Sequence, residues 1–241
     1  MKIYSKIDKG VVRNSNQDAY LAGEISSQVG FAVVCDGMGG ANAGNVASET
    51  AVKCISEYIL KSYRENMTGD DIEKLIKNAI TSANIEVFEK ASKSEALKGM
   101  GTTAVVAVVN NENAIIANVG DSRIYIVNDS INQLTKDHSV VQSLLESGKI
   151  TQNDAMVHPE KNVITRALGA EPDVAVDTAQ LPLNKGDTLL LCTDGLTNFV
   201  NSYDILNTFK EKEASLVPES LVDLANKAGG GDNITVVTLA M

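Results

Sequence analysis

The run Phe31-Ala-Val-Val-Cys-Asp36-Gly37-Met38-Gly39-Gly40 constrains the chain more than any other stretch, because five apolar residues of strand character end in a carboxylate and then in glycines. A buried strand that stops at a turn reads this way, which predicts Asp36 at the mouth of a strand. The glycines let the backbone approach whatever Asp36 holds, and Gly37 can offer its carbonyl as a further oxygen ligand. An Asp-Gly turn is common by itself. Its weight comes from recurrence: Asp187-Thr-Leu-Leu-Leu-Cys192-Thr193 closes in Asp194-Gly195 in the same manner.

Around these stretches the chain alternates between two periods. Residues 2 to 7 read as a strand, and a dense polar cluster follows, Arg13-Asn-Ser-Asn16-Gln17-Asp18. That cluster reads either as a solvated turn or as a phosphate clamp beside a cation ligand. Ala47, Ala51, Ile55 and Ile59 form a helical stripe; a second helix is expected from Asp70 and Asp71, taken as its cap, along Ile72 to Val87. From Thr102 a hairpin is expected, then a strand at 124 to 127, another segment at 131 to 134, and a short helix capped by Asp137 and stopped by Gly148. Residues 148 to 162 hold no period and read as a flap or a long surface loop. A strand at 174 to 180, the Asp187 strand, helices opened by Ser202 and by Pro218, and a last strand at 234 to 239 complete an α+β chain with helices layered on antiparallel sheets.

Composition narrows the function. A formal charge of −10 argues against nucleic-acid binding, which wants clustered Lys and Arg. Cys35, Cys54 and Cys192 are odd in number and lack metal-ligand spacing, so they read as reduced core thiols. With no apolar leader at residues 1 to 6 and no run of membrane-spanning length, the expectation is a cytoplasmic protein.

Six aspartates adjoin a glycine: Asp36, Asp70, Asp121, Asp187, Asp194 and Asp232. Asp70 and Asp187 have ordinary explanations in a helix start and a turn. Asp36, Asp121, Asp194 and Asp232 stand at or beside strand ends, and with Asp18 they make five hard oxygen donors suited to Mg²⁺ or Mn²⁺. Converged without cations they would repel one another and raise their own pKa values. Two such ions can lower the pKa of a shared water and stabilise an in-line displacement at phosphorus, so phosphate-ester hydrolysis is the expected reaction. Asp36 is expected to bridge the ions, with Asp194 and Asp232 completing one and Asp18, through water, and the Gly37 carbonyl helping the other. Arg13 would hold the phosphoryl oxygens.

Eight motifs then fall in a familiar order: Arg13-x-x-Asn16-Gln17-Asp18, Asp36-Gly-Met-Gly-Gly40, Gly101-Thr-Thr103, Gly120-Asp-Ser-Arg123, Asp137-His-Ser139, Thr165-Arg-Ala-Leu-Gly169, Thr193-Asp-Gly195 and Gly231-Asp-Asn233. Together they resemble the PP2C-type (PPM) metal-dependent serine/threonine phosphatases, most of all the compact bacterial members, over essentially the whole chain. The resemblance implies one phosphatase domain over residues 1–241, built as a central β-sandwich of two antiparallel sheets with helices on both sides, and a flap at about 145–165. It implies two Mn²⁺ or Mg²⁺ ions and an extra metal position in bacterial members, with Asp121 and Asp194 as its ligands. It further implies phosphoserine and phosphothreonine substrates and a Hanks-type kinase as opposing partner; a monomer is the expected state. Many eukaryotic relatives have a histidine, proposed to protonate the leaving group, where Met38 stands, and methionine cannot do this. His138 reads as structural and His158 as a surface residue; Arg123 and Arg166 read as members of ion pairs. Two other readings compete: a phosphoprotein-binding module that kept the fold without the chemistry, and a metal-dependent nuclease or phosphodiesterase, which the missing basic track disfavours.

Overall fold

A computed structural model describes residues 1–39, 43–110 and 112–241, with Met156 described by its backbone. Gly40, the last glycine of the central stretch, and Asn111, in the expected hairpin turn, lie outside the described residues. Strands β1 (Lys2–Asp8), β2 (Asp18–Ser26) and β3 (Val29–Met38) lead into helices α1 (Ala43–Ser62) and α2 (Gly69–Lys93). After them come β4 (Gly101–Thr102), β5 (Ala104–Asn110), β6 (Asn113–Val119), β7 (Arg123–Val127) and β8 (Ile131–Gln133). Short helices α3 (Val140–Glu146) and α4 (Gln152–Val157) precede β9 (Asp177–Pro182) and β10 (Thr188–Cys192). The chain closes through α5 (Asp194–Thr197), α6 (Ser202–Glu211), α7 (Val217–Lys227) and β11 (Ile234–Ala240).

The strands form two antiparallel sheets, one ordered β1-β11-β10-β7-β8 and the other β2-β3-β5-β6-β9 with β4 paired to β3. Between them lies a core of Ala32, Val34, Val105, Ala107 and Ile116 from one sheet and Ile124, Leu189, Leu191, Val237 and Leu239 from the other. Alternate residues of the same strands face outward. Phe31, Val33, Cys35 and Val106 meet Ala47, Ile55, Ile72, Ile76 and Ile80 of α1 and α2, and Leu190, Cys192, Val236 and Ile234 meet Ile205, Leu221 and Val222 of α6 and α7. This is the expected four-layer arrangement of helices, sheet, sheet and helices. Strands buried on both faces need apolar residues at every position, which is why β3 and β10 read as unbroken apolar runs and not as alternating ones.

Several local expectations move. Thr68, not Asp70 or Asp71, caps α2: its hydroxyl accepts from the Asp71 N–H while the Asp71 carboxylate accepts from the Thr68 N–H, a reciprocal capping box. Ser139 caps α3, and Asp137 instead receives Arg123; Asn201 caps α6 in place of Ser202. The expected strand at 174–180 is found at Asp177–Pro182, and the aperiodic stretch 148–162 contains α4, held by a Thr151–Asp154 capping box. β2, starting inside the polar cluster, carries no strand signal in the sequence because, apart from the buried Asp18, its residues are half-buried or exposed on an edge. Cys35 and Cys192 are free and buried and Cys54 is free and half-buried, as the odd count suggests.

Candidate metal and phosphate site

Antiparallel pairing decides where the acids go. Asp18 at the start of β2 is the register partner of Asp36 near the end of β3. Asp121 follows β6, which pairs with β5; Asp194 follows β10, and Asp232 precedes β11, the neighbour of β10. All five therefore gather at one end of the sandwich although up to 214 positions separate them in sequence (232 − 18). Asp36, Asp121, Asp194 and Asp232 line one cleft of about 250 Å³ together with Arg13, Gly37, Met38, Asn162 and Ile164. A larger cavity of about 570 Å³, at the far end of the sheets beside Lys185, Lys210 and Lys212, holds none of these acids.

Each acid is held by its neighbours' polar groups. β3 does not stop before Asp36 but continues to Met38 by pairing with β4, so Asp36 sits within a strand. Its N–H donates to Thr103 Oγ1 (2.9 Å), and its carbonyl accepts from the Thr103 N–H (2.9 Å) and from Thr102 Oγ1 (2.8 Å). Thr103 Oγ1 also shares a hydrogen bond with Ser122 Oγ at 2.7 Å, tying Asp36 to the loop of Asp121. Gly37 must be glycine because a Cβ would run into the carbonyl oxygens of Gln17 and Gly44; its own carbonyl lies where a side chain on Gly44 would go.

Asp18 does not line the cleft. It is buried beneath it, with Oδ2 accepting from the hydroxyls of Thr193 (2.9 Å) and Thr235 (2.7 Å), so that a carboxylate of one sheet is stitched to threonines of the other. Asp194 lies in the first turn of α5 and not at a bare strand end; Asn198 Nδ2 donates to its Oδ2 at 2.9 Å. Asp232 Oδ2 accepts from Arg13 Nη2 at 2.8 Å, and Arg13 Nε reaches the Gly231 carbonyl at 3.3 Å. Asn233 fastens the Arg13 loop, accepting from the Gln17 N–H and donating to the carbonyls of Lys9 and Ser15.

Burial, followed by the charge of the other aspartates, raises the carboxyl of Asp36 well above the usual carboxylate range. Burial likewise pushes Asp18 and Asp121 each up to about 7 and raises Asp194, with neighbouring aspartates adding to each shift. One oxygen of Asp18 and one of Asp194 are buried with no hydrogen-bond partner. A buried carboxylate oxygen without a donor on Asp194 in the cleft and another on Asp18 beneath it, with Arg13 the one cationic side chain lining that cleft among the described residues, fit a site for hard cations. Among the described residues no three His, Cys, Asp or Glu side chains close on a point as a ready-made cage. Carboxylates that line one cleft without closing on a point suit ions that keep several waters, as Mg²⁺ does, and Asp232 is paired with Arg13 in this structure.

The remaining singled-out residues have structural partners. Arg123 makes a paired contact with Asp137, its Nε and Nη2 donating at 2.7 to 3.0 Å, and Arg166 Nη1 donates to Asp177 and the Ala175 carbonyl. His158 Nδ1 accepts from the Glu160 N–H on the surface. Sequence reasoning gave no role to Thr103, Thr193, Thr235 or Asn233; three of them stand inside motifs already quoted, which was the available signal.

The Protein phosphatase 2C family profile matches residues 6–226. The chain belongs to the PP2C family. It is 43% identical to the serine/threonine phosphatase stp of Listeria innocua, over 96% of this chain and 92% of that one. It is 35% identical to the protein phosphatase PhpP of Streptococcus pneumoniae, over 100% of this chain and 98% of the other. The S. agalactiae serine/threonine phosphatase superposes with a TM-score of 0.92 at 35% identity, covering 100% and 99% of the two chains. The catalytic domain of the phosphatase PstP, solved with two manganese ions, superposes at 0.86 with 30% identity, covering 98% and 96%. These likenesses make the chain a PP2C-type serine/threonine phosphatase, a metal-dependent hydrolase. The reading as a fold kept without chemistry loses its footing. Among the described residues, no helix is long and apolar enough to cross a membrane.

Proposed function

We propose that this PP2C phosphatase removes phosphate from phosphoserine and phosphothreonine of proteins at the cleft between Asp36, Asp121, Asp194 and Asp232. The observation that carries this reading is the gathering of five aspartates, from two strands, two adjoining loops and the first turn of α5, at one end of the sandwich, two with buried, partnerless oxygens, beside an exposed Arg13. Asp36, Asp194 and Asp232 would hold one Mn²⁺ or Mg²⁺; Asp36, the Gly37 carbonyl and, through water, Asp18 a second; Asp121 with Asp194 a third position. Bound there, divalent cations supply positive charge opposite the phosphoryl oxygens and a water of lowered pKa. Arg13 is half exposed and paired with Asp232 in this structure; on leaving Asp232 it would present its planar fork to the phosphoryl oxygens of the incoming monoester. Thr102 and Thr103 keep Asp36 fixed through its backbone while its carboxylate faces the cleft. Met38 lines the cleft and has no proton to give, so the leaving alkoxide would take its proton from a water of the metal site or from a group on the substrate side. Asn162 and Ile164 bring the segment at about 145–165 to the same cleft, in keeping with a flap that borders the substrate within one domain. A serine/threonine kinase would write the phosphates this enzyme removes; the three unpaired cysteines suit a reducing, cytoplasmic setting, and we take the working unit as a monomer.

The test is phosphate release from a phosphothreonine peptide titrated with Mn²⁺ and then with chelator. Release should rise with the ion and vanish on chelation. In Asp36→Asn and Asp232→Asn it should fall at least ~100-fold, since loss of a group one layer beyond the ligands already costs ~10–100-fold. Turnover that survives both substitutions, or persists without any divalent ion, would remove this reading.

A further inference from the structure

His138 is buried in the Asp137-His-Ser139 stretch, and its hydrogen bonds run to Gly120 and Thr165, in the two segments that border the cleft, and to Asp177 on β9. Its N–H donates to the Gly120 carbonyl (2.9 Å), and the Gly120 N–H donates back to its Nδ1 (3.0 Å). That return bond fixes the tautomer: Nδ1 accepts, so Nε2 carries the proton and donates to Asp177 Oδ2 at 3.1 Å. Asp177 is steadied from the other side by Arg166 at 2.6 Å. Gly120 adopts φ +106°, where a Cβ would stand 2.6 Å from Thr103 Cγ2, and the residue that leaves this tight corner is Asp121. The His138 carbonyl accepts from the Thr165 N–H (2.8 Å), and Ser139 bridges to Ile164, whose side of the chain lines the cleft.

We infer that His138 is a positioning residue, which clamps Gly120 by two hydrogen bonds so that Asp121 is presented to a divalent cation, and anchors residues 163–165 to the same point. The inference rests on the metal-dependent reading above. The loop of Asp121 is held on one side by Ser122 on Thr103 and on the other by His138 on Gly120, with a longer bond from Asn118 Nδ2 to the Gly120 carbonyl at 3.3 Å; the Gly120 N–H itself is held by His138. An imidazole is suited to the task because it spans two partners on opposite edges of its ring, accepting from a backbone N–H and donating to a carboxylate at once.

Calorimetric titration of the whole chain with Mn²⁺, without substrate, tests this. The step of interest is the one that Asp121→Ala abolishes. His138→Leu, which keeps neither side-chain bond, should weaken that step about 10- to 100-fold, the usual cost of removing a group behind a ligand, and leave the steps lost in Asp36→Asn unchanged. His138→Asn can still accept from the Gly120 N–H and should recover most of the affinity; Asp177→Ala, which leaves that bond intact, should weaken the step less than His138→Leu does. If His138→Leu fails to fold, the comparison of His138→Asn, which keeps the Gly120 bond, with Asp121→Ala decides. Wild-type affinity in folded His138→Leu, equal losses at every step, loss of the step in His138→Asn as complete as in Asp121→Ala, or no Asp121-dependent step in the unsubstituted protein would each overturn the inference. The phosphatase reading would stand in all four cases so long as the Asp36-dependent steps and phosphate release remain. Absence of all Mn²⁺ binding would remove both.

Discussion

At the scale of single residues, the cleft puts an arginine and a set of carboxylates in competition for one another. Arg13 bonds Asp232 in the structure, with its side chain half exposed, so the contact has little to lose by exchange and much to gain once cations take over the carboxylate. Charge-assisted hydrogen bonds of ~1.5–3 kcal/mol correspond to roughly 10- to 100-fold in kcat/KM on a phosphopeptide for Arg13→Ala. Arg13→Lys should fall between, retaining charge and losing the fork. Unchanged kcat/KM in Arg13→Ala would show that the side chain does not touch the phosphate. Asp18 carries a different lesson. The polar cluster holding it was readable as a turn or as a clamp beside a cation ligand, and the structure divides those roles: Arg13 is at the rim and Asp18 underneath, bonded to Thr193 and Thr235. Nothing local in Asn16-Gln17-Asp18 announces those threonines, because they arrive from strands about 175 and 217 residues away.

At the scale of elements, helices and loops are fastened by groups whose partners sequence periodicity does not reveal. Asn84 lies fully buried on α2, where it accepts from the Gly169 N–H and donates to the carbonyls of Glu171 and Pro172. It thereby moors to α2 the loop that follows the cleft-lining segment. Asn84→Leu strands the buried Gly169 N–H and leaves the carbonyls of the exposed Glu171 and Pro172 to water, and should cost about 1–3 kcal/mol in urea unfolding, the usual penalty for one unsatisfied buried group. At the start of the same helix, Thr68→Ala removes one half of the capping box and should cost about 1 kcal/mol. A cost near zero would mean that Asp71 alone holds the first turn. The elements that sequence reading placed well are those with long apolar stripes, α1, α2, β3, β5, β6, β10 and β11. The ones it misplaced, the caps of α2, α3 and α6 and the edge strand β2, depend on which of several adjacent polar residues the neighbouring element leaves free.

At the scale of the whole molecule, the charge gathered at one end of the sandwich makes stability depend on both pH and metal. Asp18 and Asp121, each pushed up to about 7 by burial, hold their protons in the folded chain over a range where the unfolded chain releases them. The folded state therefore binds more protons between about pH 4 and 7, and the stability this gives is complete below the unfolded value and lost as pH rises through about 7. With chelator present, Tm should fall between pH 5 and pH 8. Mn²⁺ should reverse the fall, adding roughly 2.7 kcal/mol per site at 100 times its dissociation constant, or several degrees for a chain of this size. A chelated protein whose Tm is flat or rises over that interval would show that the acids do not share a low-dielectric cleft.

The sequence by itself determined the layers and the identity of the acids: unbroken apolar runs specify strands buried on both faces, and Asp-Gly pairs closing such runs fix where carboxylates can emerge. These properties are local, written within a strand's length of each residue. Only the tertiary structure decided that Asp18 goes below the cleft and Asp36 within it, that Arg13 meets Asp232, and that His138 grips Gly120. Each of those facts depends on strand register and sheet-to-sheet contact, where residues far apart in the chain become partners by a pairing that no short window of sequence contains.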